Sequence, residues 1–382
     1  MPGAGNDRDS AAGWYIGLMS GTSLDGVDGV LAEISTSKCA VSGYQSAPLA
    51  PETRAQLLAL NTPGGSDELH RAALAANALA YTYADVVQAL LAAAGLPAGA
   101  VRAIGAHGQT VRHQPQLHDG SGYTLQLLNP ALLAERSGIT VVADLRSRDV
   151  AAGGQGAPLV PAFHQQMFGQ PGRSVAVLNL GGIANLSLLA ADGSVLGFDC
   201  GPANVLLDLW CARHTGQPYD AAGAWARGGS VLPALLQAML QEPFLAAAPP
   251  KSTGRDLFHD AWLQAALSAS GCRQGPAQDV QATLAEFTAQ ASARHLQRYA
   301  PDCTLLIVCG GGALNGHLMQ RLQALLPQLA VQTSDAHGLA PLQVEAAAFA
   351  WLAHQCLAGL PGNLPAVTGA RGPRILGAIH PA

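Results

Sequence analysis

A short polar turn near the start of the chain combines residue types that suit phosphate and a hard cation. It lies within residues 19–29, MSGTSLDGVDG, between two apolar runs. The turn contains three hydroxyl side chains and two carboxylates: Ser20, Thr22, Ser23, Asp25 and Asp28. Glycine lets backbone N–H groups approach an anion, hydroxyls add donors, and Asp oxygens suit Mg²⁺. The pattern predicts strand, turn, strand, and it fits both a phosphate-binding loop and an ordinary surface hairpin.

Two further glycine-rich turns follow in the second half of the chain, at residues 181–185 (GGIAN) and Gly310–Gly312. The triple glycine lies between a predicted buried strand and a predicted helix, whose N-terminus favours anions. It fits nucleotide contact or a plain tight strand–helix turn. The chain contains no Gly-Lys-Ser or Gly-Lys-Thr segment, so ATP binding would require a motif other than a Walker A loop. Two glycine hairpins on opposite sides of a cleft would form such a motif.

Several carboxylates are candidates for acid–base or metal chemistry. Asp199 ends a predicted strand within FDCGPAN and fits a general base in a cleft or a turn residue. Asp144 and Asp149 flank two arginines and fit substrate and metal contacts or a structural ion-pair cluster. Glu345 begins an otherwise apolar helix, so it either caps that helix or faces the site.

Two other polar features are open to a functional or a structural interpretation. His107 directly follows a predicted buried strand, which fits a hydrogen-bonded core histidine or a substrate contact. Residues 251–255, KSTGR, form a polar segment after two prolines. This segment fits a mobile binding loop or a solvated loop.

Strands alternating with helices must position these groups. Apolar runs predict three strands at the start, then helices up to about residue 94, with Ser66 as a cap and Gly95 as the end. From about residue 174 the opening plan of strand, glycine turn, strand repeats. The sequence therefore predicts an α/β fold of two similar domains with a cleft between them. We expect a loose tail over 1–12 and domains over 13–170 and 171–382, with the last helix free to pack back on the first domain.

Composition narrows the class of protein. The chain has 382 residues, of which 49% are hydrophobic and 12% charged, with a net charge of −5. A large core is available, and no basic patch indicates nucleic acid or a membrane surface as a partner. Seven cysteines without metal-ligand spacing fit reduced thiols. With no signal peptide or membrane-spanning run in the pattern, we expect a soluble cytoplasmic protein.

Taken together, eight stretches resemble the anhydro-N-acetylmuramic acid kinase family, within the sugar kinase, actin and Hsp70-like ATPase group. They occur in order along nearly the whole chain: GLMSGTSLDGVDG (17–29), GAHGQTVRHQP (105–115), GGQGAPLVPAFH (153–164), LNLGGIANLSLL (178–189), FDCGPANVLLD (198–208), PKSTGRDLF (250–258), QATLAEFTA (281–289) and VCGGGALNGHLM (308–319). Each stretch alone is weak evidence of family membership, but the combination of all eight is specific. The resemblance implies two actin-like, ribonuclease H-like ATPase domains and suggests a homodimer.

The resemblance also implies an unusual reaction in cell-wall recycling. Water attacks C1 of 1,6-anhydro-N-acetylmuramic acid while O6 takes the γ-phosphoryl group of ATP, giving N-acetylmuramic acid 6-phosphate and ADP. Such chemistry needs a base for the water, and a cation with backbone donors for the phosphoryl group.

By resemblance, the base falls on Asp199 and a supporting acid on Glu345, and Asp25 is the expected Mg²⁺ contact. The expected ATP-binding residues are Gly21, Thr22, Ser23, Leu24, Asp25, Gly26, Val27, Asp28, Gly181, Gly182, Asn185, Gly310, Gly311 and Gly312. The expected substrate-binding residues are His107, Gln109, Asp144 and Asn204.

The chain departs from the family pattern at three places. It has ADLR at 143–146 where the family has GDFR, and Cys200 and Ala203 within FDCGPAN where the family has FDTGPGN. Leu128-Asn129 replaces Gly-Asp and removes a carboxylate, which puts any substrate or folding role there in doubt. Ala203 in place of glycine predicts that this position does not need a positive φ.

Two other functions remain as alternatives. One is a hexose kinase of the same fold that acts on a free hydroxyl. The other is a non-catalytic sugar sensor, although such regulators usually carry a basic DNA-binding segment, and this chain has a net negative charge.

Overall fold

A computed structural model describes residues 11–21, 24–36, 38–255 and 257–382. The chain divides into two compact units, one made of residues up to Met167 together with Gln343–Ala382, the other of Phe168–Leu342. The sequence-based division placed residues 171–382 in the second domain, with the last helix free to pack back on the first. In the structure, Gln343–Ala382 belongs to the first unit.

The first unit is a mixed sheet with helices. Its strands are β1 (Gly13–Met19), β2 (Gly26–Ile34), β3 (Cys39–Pro48), β4 (Val101–Ala106), β5 (Gln109–Pro115), β6 (Gly122–Leu127), β7 (Val141–Ala143) and β13 (Ala378–His380). Its helices are α1 (Pro51–Leu60), α2 (Glu68–Ala94), α3 (Pro130–Ser137), α4 (Ser147–Ala151), α5 (Val160–Phe168), α13 (Val344–Leu357) and α14 (Pro365–Thr368). Six strands form one sheet in the order β13-β7-β4-β1-β2-β3, and β5 pairs with β6. Strands β1, β2 and β3 are antiparallel neighbours, whereas β4 runs parallel to β1 and to β7.

The second unit repeats this arrangement of strands. Its strands are β8 (Val175–Leu180), β9 (Ile183–Leu189), β10 (Val195–Pro202), β11 (Leu305–Cys309) and β12 (Ala330–Thr333). Its helices are α6 (Asn204–Thr215), α7 (Ala224–Arg227), α8 (Pro233–Leu240), α9 (Pro243–Ala246), α10 (Asp260–Ala269), α11 (Ala277–Tyr299) and α12 (Gly316–Leu325). The order is β10-β9-β8-β11-β12, with an antiparallel meander followed by parallel strands. The predicted repeat of strand, glycine turn, strand is therefore confirmed.

Close contact between helix α13 and the first sheet explains why the end of the chain belongs to the first unit. A Cβ on Gly17 of β1 would lie 1.8 Å from the carbonyl oxygen of Ala346, and one on Gly105 of β4 would lie 1.9 Å from that of Phe349. Only glycine lets the helix backbone approach these strands so closely. Helix α13 is apolar almost all round, with eleven consecutive or near-consecutive buried positions between Val344 and Cys356, as expected of a helix enclosed in a core.

Each unit has its own hydrophobic core, as a chain rich in Val, Leu and Ala permits. In the first unit, Ile16, Leu18, Leu79 and Tyr83 are among the fully buried side chains between the sheet and helix α2. In the second, one cluster lies on the sheet and another among helices α6, α8, α10 and α11. Each fully buried aliphatic or aromatic side chain stabilises the fold by about 1.5–3 kcal/mol.

The start of helix α2 differs from the prediction. The N-cap is Asp67, in a left-handed conformation with φ +45°, and not Ser66. The N-cap side chain makes no capping hydrogen bond to the helix. Glu68 Oε1 instead accepts a hydrogen bond of 2.6 Å from the backbone N–H of Gly65. The predicted end is confirmed, because Gly95 caps the helix with φ +65°.

Candidate active site

Asp199 lies on β10 at a β-bulge. Asp199 pairs with Asn185 of β9, and Gly201 pairs with the next residue, Ala184, so that Cys200 is the extra residue. Gly201 has φ +144°, in the region that favours glycine. Bulges redirect neighbouring side chains and often lie next to active sites. Asp199 and Asn185 form the last pair of the regular register, immediately before this bulge.

Two donors from different elements orient the Asp199 carboxylate. Asn185 Nδ2 donates to Oδ1 at 2.9 Å, and the backbone N–H of Thr253 donates to Oδ2 at 2.9 Å. The backbone N–H of Asp199 donates to the carbonyl oxygen of Lys251 at 3.2 Å. The polar segment at 251–255 is thus attached to β10 beside the predicted base. Asn185, predicted on the nucleotide side, contacts this base directly.

The glycine turn between β8 and β9 lies against the first residues of helix α6. The backbone N–H of Asn204 donates to Gly181 O at 3.0 Å, and that of Val205 donates to Gly182 O at 3.1 Å. Asn204 Nδ2 donates to the carbonyl oxygen of Leu180 at 2.9 Å. The predicted substrate residue Asn204 therefore fixes the glycine turn in place.

The Gly310–Gly312 turn packs against the end of β8. Gly310 has φ +78°, and a Cβ there would lie 2.4 Å from Asn179 Oδ1. A Cβ on Gly312 would lie 2.5 Å from a side-chain carbon of β8. Gly311 is exposed, and the nearest neighbour of a Cβ there would be Asn204 Nδ2 at 3.7 Å. Packing thus requires glycine at 310 and 312 but not at 311.

In the first unit, the polar turn is attached to the segment that follows β4. Ser20 Oγ donates to the carbonyl oxygen of Gly108 at 2.9 Å, and Gln109 Nε2 donates to that of Gly21 at 3.1 Å. Gln109 is buried, and its Oε1 has no hydrogen-bond partner among the residues that the structure describes. Two predicted phosphate contacts lie outside those residues: Thr22 and Ser23.

Two of the next residues of the turn have buried side chains. Leu24, with φ +59°, and Val27 both have buried side chains, so a ligand could meet only their main-chain groups. A Cβ on Gly26 would lie 2.5 Å from the carbonyl oxygen of Ala47 on β3. Glycine at 26 therefore lets β2 and β3 approach at the base of the hairpin.

Asp25 and Asp28 differ in environment. Asp25 is exposed, whereas Asp28 is half-buried and accepts a hydrogen bond of 2.5 Å from Tyr44 OH. Burial raises the pKa of Asp28, Tyr44 opposes this, and the charge of Asp25 adds to the rise. A cation near this pair would offset the repulsion between the two carboxylates.

His107 is a buried hydrogen-bond acceptor. Its Nε2 accepts from Arg146 Nε at 3.0 Å and lies 2.9 Å from Arg146 Nη2. Burial, reinforced by the Arg146 charge, lowers the pKa of His107 to about 3. Arg146 also donates through Nη1 to the carbonyl oxygen of Gly156 at 2.8 Å. His107 is therefore a neutral ring that links the end of β4 to the glycine-rich loop near 156, as a hydrogen-bonded core histidine would be.

The two aspartates around Arg146 have different environments. Asp144 is exposed, with φ +52°, directly after β7. Asp149 is fully buried and accepts from Asn363 Nδ2 at 2.6 Å, Thr368 Oγ1 at 2.7 Å and the backbone N–H of Gly156 at 2.8 Å. Neutral donors thus hold Asp149, and its role is to join this loop to the end of the chain.

Glu345 lies in the first turn of α13 and is half-buried. A carboxylate at this end of a helix is favourable because the helix dipole is positive there. The N-cap residue Gln343 makes no side-chain capping bond.

Two departures from the family pattern have structural explanations. Asn129 caps helix α3 by accepting from the backbone N–H of Leu132 at 3.0 Å, and its Nδ2 donates to Asn77 Oδ1 at 2.7 Å. An amide can therefore perform the folding role of a carboxylate there. Ala203 has φ −111°, which confirms that this position does not need glycine.

Within the second unit, the structure groups the predicted residues in two places. Asp199 and Asn185 form one group, and the other consists of Gly181, Gly182, Asn204 and Gly310–Gly312. Within the first unit, Gly21 contacts Gln109, and His107 contacts the loop near 156 through Arg146.

Sequence reasoning missed several residues in these groups. They are Asn179, Thr253 and Arg146, of which Thr253 and Arg146 lie in segments that the sequence analysis singled out without assigning these residues a role. Close to them, Lys251 Nζ lies 2.8 Å from His295 Nε2, and neither residue was assigned a role of its own. The sequence does set Lys251 apart in one respect, because the chain has only one other lysine, Lys38.

In the described part of the chain, no group of three or more His, Cys, Asp or Glu side chains is placed to hold a metal ion. Among the same residues, no helix has the length and apolar character needed to cross a membrane. All seven cysteines lie among the described residues, and none of them is in a disulfide bond.

Comparison with known proteins identifies the family. A family model for anhydro-N-acetylmuramic acid kinase matches residues 13–382. An anhydro-N-acetylmuramic acid kinase of Variovorax paradoxus (strain S110) is 62% identical over 373 residues, covering 96% of this chain and 99% of the relative. One of Albidiferax ferrireducens is 59% identical, with the same coverage of 96% and 99%.

A solved ROK family glucokinase of Streptomyces griseus, in complex with glucose and AMPPNP, has a weak structural likeness to this chain. It is 16% identical, with a TM-score of 0.41, and the match covers 90% of this chain and 100% of that one. This likeness is too remote to bear on function. On the strength of the family match and the full-length relatives, the chain belongs to the anhydro-N-acetylmuramic acid kinase family.

Proposed function

We propose that the chain uses ATP and water to convert 1,6-anhydro-N-acetylmuramic acid into N-acetylmuramic acid 6-phosphate and ADP. Family membership across residues 13–382 supports this substrate. The observation that carries the proposal is the Asp199 carboxylate, oriented by Asn185 and Thr253. An oriented carboxylate is what a water-activating base requires.

The reaction balances as one hydrolysis coupled to one phosphoryl transfer. The water oxygen forms a bond to C1 while the C1–O6 bond breaks. O6 forms a bond to the γ-phosphorus, and the bond from that phosphorus to the β,γ-bridging oxygen of ATP breaks. One water proton goes to Asp199 and then to solvent, and the other stays on the new C1 hydroxyl.

Asp199 is the base in this scheme. A carboxylate offers about four acceptor positions, so donors can orient it while it still accepts from a water. Asn185 holds one oxygen and Thr253 the other, at 2.9 Å each, which limits rotation of the carboxylate. General bases of this kind contribute about 10²–10⁴-fold to a rate. Glu345, in the first turn of α13, is the proposed supporting acid.

The glycines that packing does not require support nucleotide binding. Gly181 and Gly311 have no positive φ, and a Cβ on either would meet nothing closer than 3.7 Å. Glycine at such positions suits the close approach of a ligand to the backbone. Asn179 Oδ1, buried beside Gly310 without a partner among the described residues, is an acceptor that a ligand hydroxyl or a metal-bound water could satisfy. With Gly182, Gly310, Gly312 and the backbone of Gly21–Asp28, these residues form our proposed ATP-binding set.

Asp25 and Asp28 are the proposed residues for Mg²⁺. Mg²⁺ is usually held by one or two carboxylates together with substrate phosphates and water. The raised pKa of Asp28, to which the Asp25 charge contributes, fits a pair that gains from a cation. When bound, the ion would neutralise charge that develops on the transferring phosphoryl group.

The proposed sugar contacts are His107, Gln109, Asp144 and Asn204. Gln109 has the strongest support, because its buried Oε1 has no partner among the described residues and can accept from a sugar hydroxyl or amide. Asp144 is exposed and available to a ligand. His107 and Asn204 already make bonds that fix the surrounding loops, so we propose that they act mainly by shaping the site.

We also propose the finer assignments that go with this function. They are two actin-like, ribonuclease H-like ATPase domains with an interdomain cleft, a cytoplasmic location, a homodimer, and a role in peptidoglycan recycling. Family membership and the repeated strand order in the two units support them. Sedimentation equilibrium tests the homodimer.

A substrate panel tests the proposed function. The purified chain would be given MgATP with the anhydro sugar, N-acetylmuramic acid, N-acetylglucosamine or glucose, and ADP release would be followed. We expect turnover with the anhydro sugar alone. Equal turnover of a free sugar would instead support an ordinary hexose kinase, and sugar binding without ADP release would support a sensor.

A further inference from the structure

Lys251 has an unusual set of contacts for a lysine. It is half-buried, and its Nζ donates to the carbonyl oxygens of Phe244 at 2.9 Å and Leu245 at 3.3 Å. Nζ also lies 2.8 Å from His295 Nε2 and 4.6 Å from the centroid of the Phe244 ring. The three N–H groups of the ammonium thus match three acceptors, with an aromatic face beside them.

His295 acts as an acceptor for Lys251. Its Nδ1 lies 2.7 Å from the carbonyl oxygen of Ala291, so Nδ1 carries the proton and Nε2 has a lone pair. Burial lowers the pKa of His295, and the charges of Lys251 and Arg298 lower it further. The ring is therefore neutral at pH 7 and can accept from Lys251.

The backbone of the same short segment holds Asp199. The carbonyl oxygen of Lys251 accepts from the backbone N–H of Asp199, and the N–H of Thr253 donates to Asp199 Oδ2. The Lys251 side chain anchors one end of this segment to helices α9 and α11. Thr253 lies only two positions along the chain, so an anchored Lys251 limits how far the Thr253 N–H can move from Asp199.

We propose that Lys251 is a positioning residue, which fixes segment 251–253 so that the Thr253 N–H orients the carboxylate of Asp199. This inference rests on the proposed function, in which Asp199 activates water. It gives the polar segment a task that neither a mobile binding loop nor a solvated loop would have. Since Lys251 acts through Asp199, its removal should slow turnover without weakening nucleotide binding.

The protonation of Lys251 gives the proposal a pH signature. Burial lowers the pKa of Lys251 to about 8, with Arg298 acting in the same direction and Cys200 and Asp199 opposing it. These groups and His295 are titratable neighbours of Lys251 from β10 and α11, whereas α9 contributes two carbonyl groups and the Phe244 ring and has no titratable side chain. Below about pH 8 the ammonium serves three acceptors. Above it the neutral amine has two N–H groups, so one acceptor is left without its donor.

The first experiment compares Lys251→Met with Lys38→Met, which removes the only other lysine, an exposed one paired with Glu33. In Lys251→Met we expect kcat for the anhydro sugar to fall about a hundredfold, as for small misplacements of catalytic groups. The Kd for MgATP should stay within about twofold of the parent value. Lys38→Met should match the parent protein in both kcat and the Kd for MgATP. An unchanged kcat in Lys251→Met, or a loss confined to KM, would overturn the proposal.

A double-mutant cycle separates positioning from a general structural role. In an Asp199→Asn background, Lys251→Met should change the residual turnover by less than about twofold, because the group through which it acts is already gone. A hundredfold loss in both backgrounds would show that Lys251 acts elsewhere.

The pH profile of the parent protein needs no variant and covers the case in which Lys251→Met fails to fold. We expect kcat to fall as pH rises through about 8, and a kcat that stays flat through pH 9.5 would contradict the proposal. If the parent protein does not turn over the anhydro sugar at any pH, the proposed function itself fails, a result distinct from either outcome for Lys251.

Discussion

Asp199, the proposed base, is oriented by residues from several segments of the chain. Its backbone lies in β10, one carboxylate oxygen is held by β9 through Asn185, and the other by the Thr253 N–H. A base must first be within reach of the proton it takes, and only then does its pKa matter. Three separate segments thus converge on one carboxylate.

Replacing Asp199 with asparagine tests its role as the base. Asp199→Asn keeps the shape of the side chain but cannot take a proton from water. We expect kcat to fall about 10²–10⁴-fold, while the Kd for MgATP, measured by calorimetry, changes little. Parent-like turnover in Asp199→Asn would remove Asp199 from the base role.

Asp149 is a buried carboxylate whose role in this structure is folding. Asp149→Asn would place an amide NH₂ where the carboxylate accepts from Asn363, Thr368 and Gly156. We expect a loss of about 3 kcal/mol in the free energy of unfolding, measured with urea, because a buried donor would face other donors. The exposed Asp144→Asn is the matched control and should stay within about 0.5 kcal/mol. Equal effects at the two positions would refute this distinction.

At the residue scale, sequence reasoning named Asp199 as the expected base and Asn185 as a nucleotide contact, but it did not predict that Asn185 and Thr253 donate to Asp199. Asn185 contacts Asp199 because the two residues pair across β9 and β10, immediately before the bulge at Cys200. Thr253 reaches it through a loop whose path depends on Lys251. Such contacts arise from tertiary packing, which apolar periodicity and local motifs do not encode.

At the scale of elements, the packing of helix α13 on β1 and β4 depends on two glycines. Gly105→Ala would bring a methyl group to 1.9 Å from the carbonyl oxygen of Phe349. We expect this overpacking to reduce the free energy of unfolding by about 3 kcal/mol or more.

The matched control for this change is Gly99→Ala, just before β4. A Cβ on Gly99 meets nothing within 4 Å, and Gly99 has no positive φ. The control should be near neutral in a thermal melt. If Gly105→Ala were as stable as Gly99→Ala, the result would contradict the close packing of helix α13 on β4.

Elements were easier to predict than their contacts. Strands β1, β2, β8 and β11 follow apolar runs between glycine turns, and the end of α2 at Gly95 follows from C-cap chemistry. The sequence around Gly17 and Gly105 does not indicate that a helix packs closely on these two glycines. Their partners, Ala346 and Phe349, come from the far end of the chain.

At the scale of the whole molecule, the chain forms two units with the same order of strands. The sequence-based division left the last helix free to pack back on the first domain, and Gln343–Ala382 does belong to the first unit. Composition alone does not decide this, because an apolar helix can pack on either sheet. Two glycines, in β1 and β4, accommodate the helix backbone on the first sheet.

The overall stability should depend on pH through buried neutral histidines. Burial lowers the pKa of both His107 and His164 to about 3 in the folded chain. Between pH 6.5 and 3 the unfolded chain binds protons that the folded chain does not, so stability is full above 6.5 and is lost as pH falls. The loss is about 1.4 kcal/mol per pH unit for each histidine.

Urea denaturation of His164→Leu at pH 7 and pH 5 checks this account. The free energy of unfolding of the parent protein should drop from pH 7 to pH 5 by more than that of His164→Leu, by about 2 kcal/mol. Identical pH dependence in the two proteins would show that His164 is not held neutral by burial.

The most direct test of the central claim is to run the reaction in H₂¹⁸O and locate the label by mass spectrometry. If water opens the anhydro ring while O6 takes the phosphoryl group, ¹⁸O will appear in the C1 hydroxyl of the sugar phosphate and not in its phosphate. Unlabelled product kept in the same water corrects for exchange at C1. Label in the phosphate, or none at C1 above that control, would contradict the coupled ring opening.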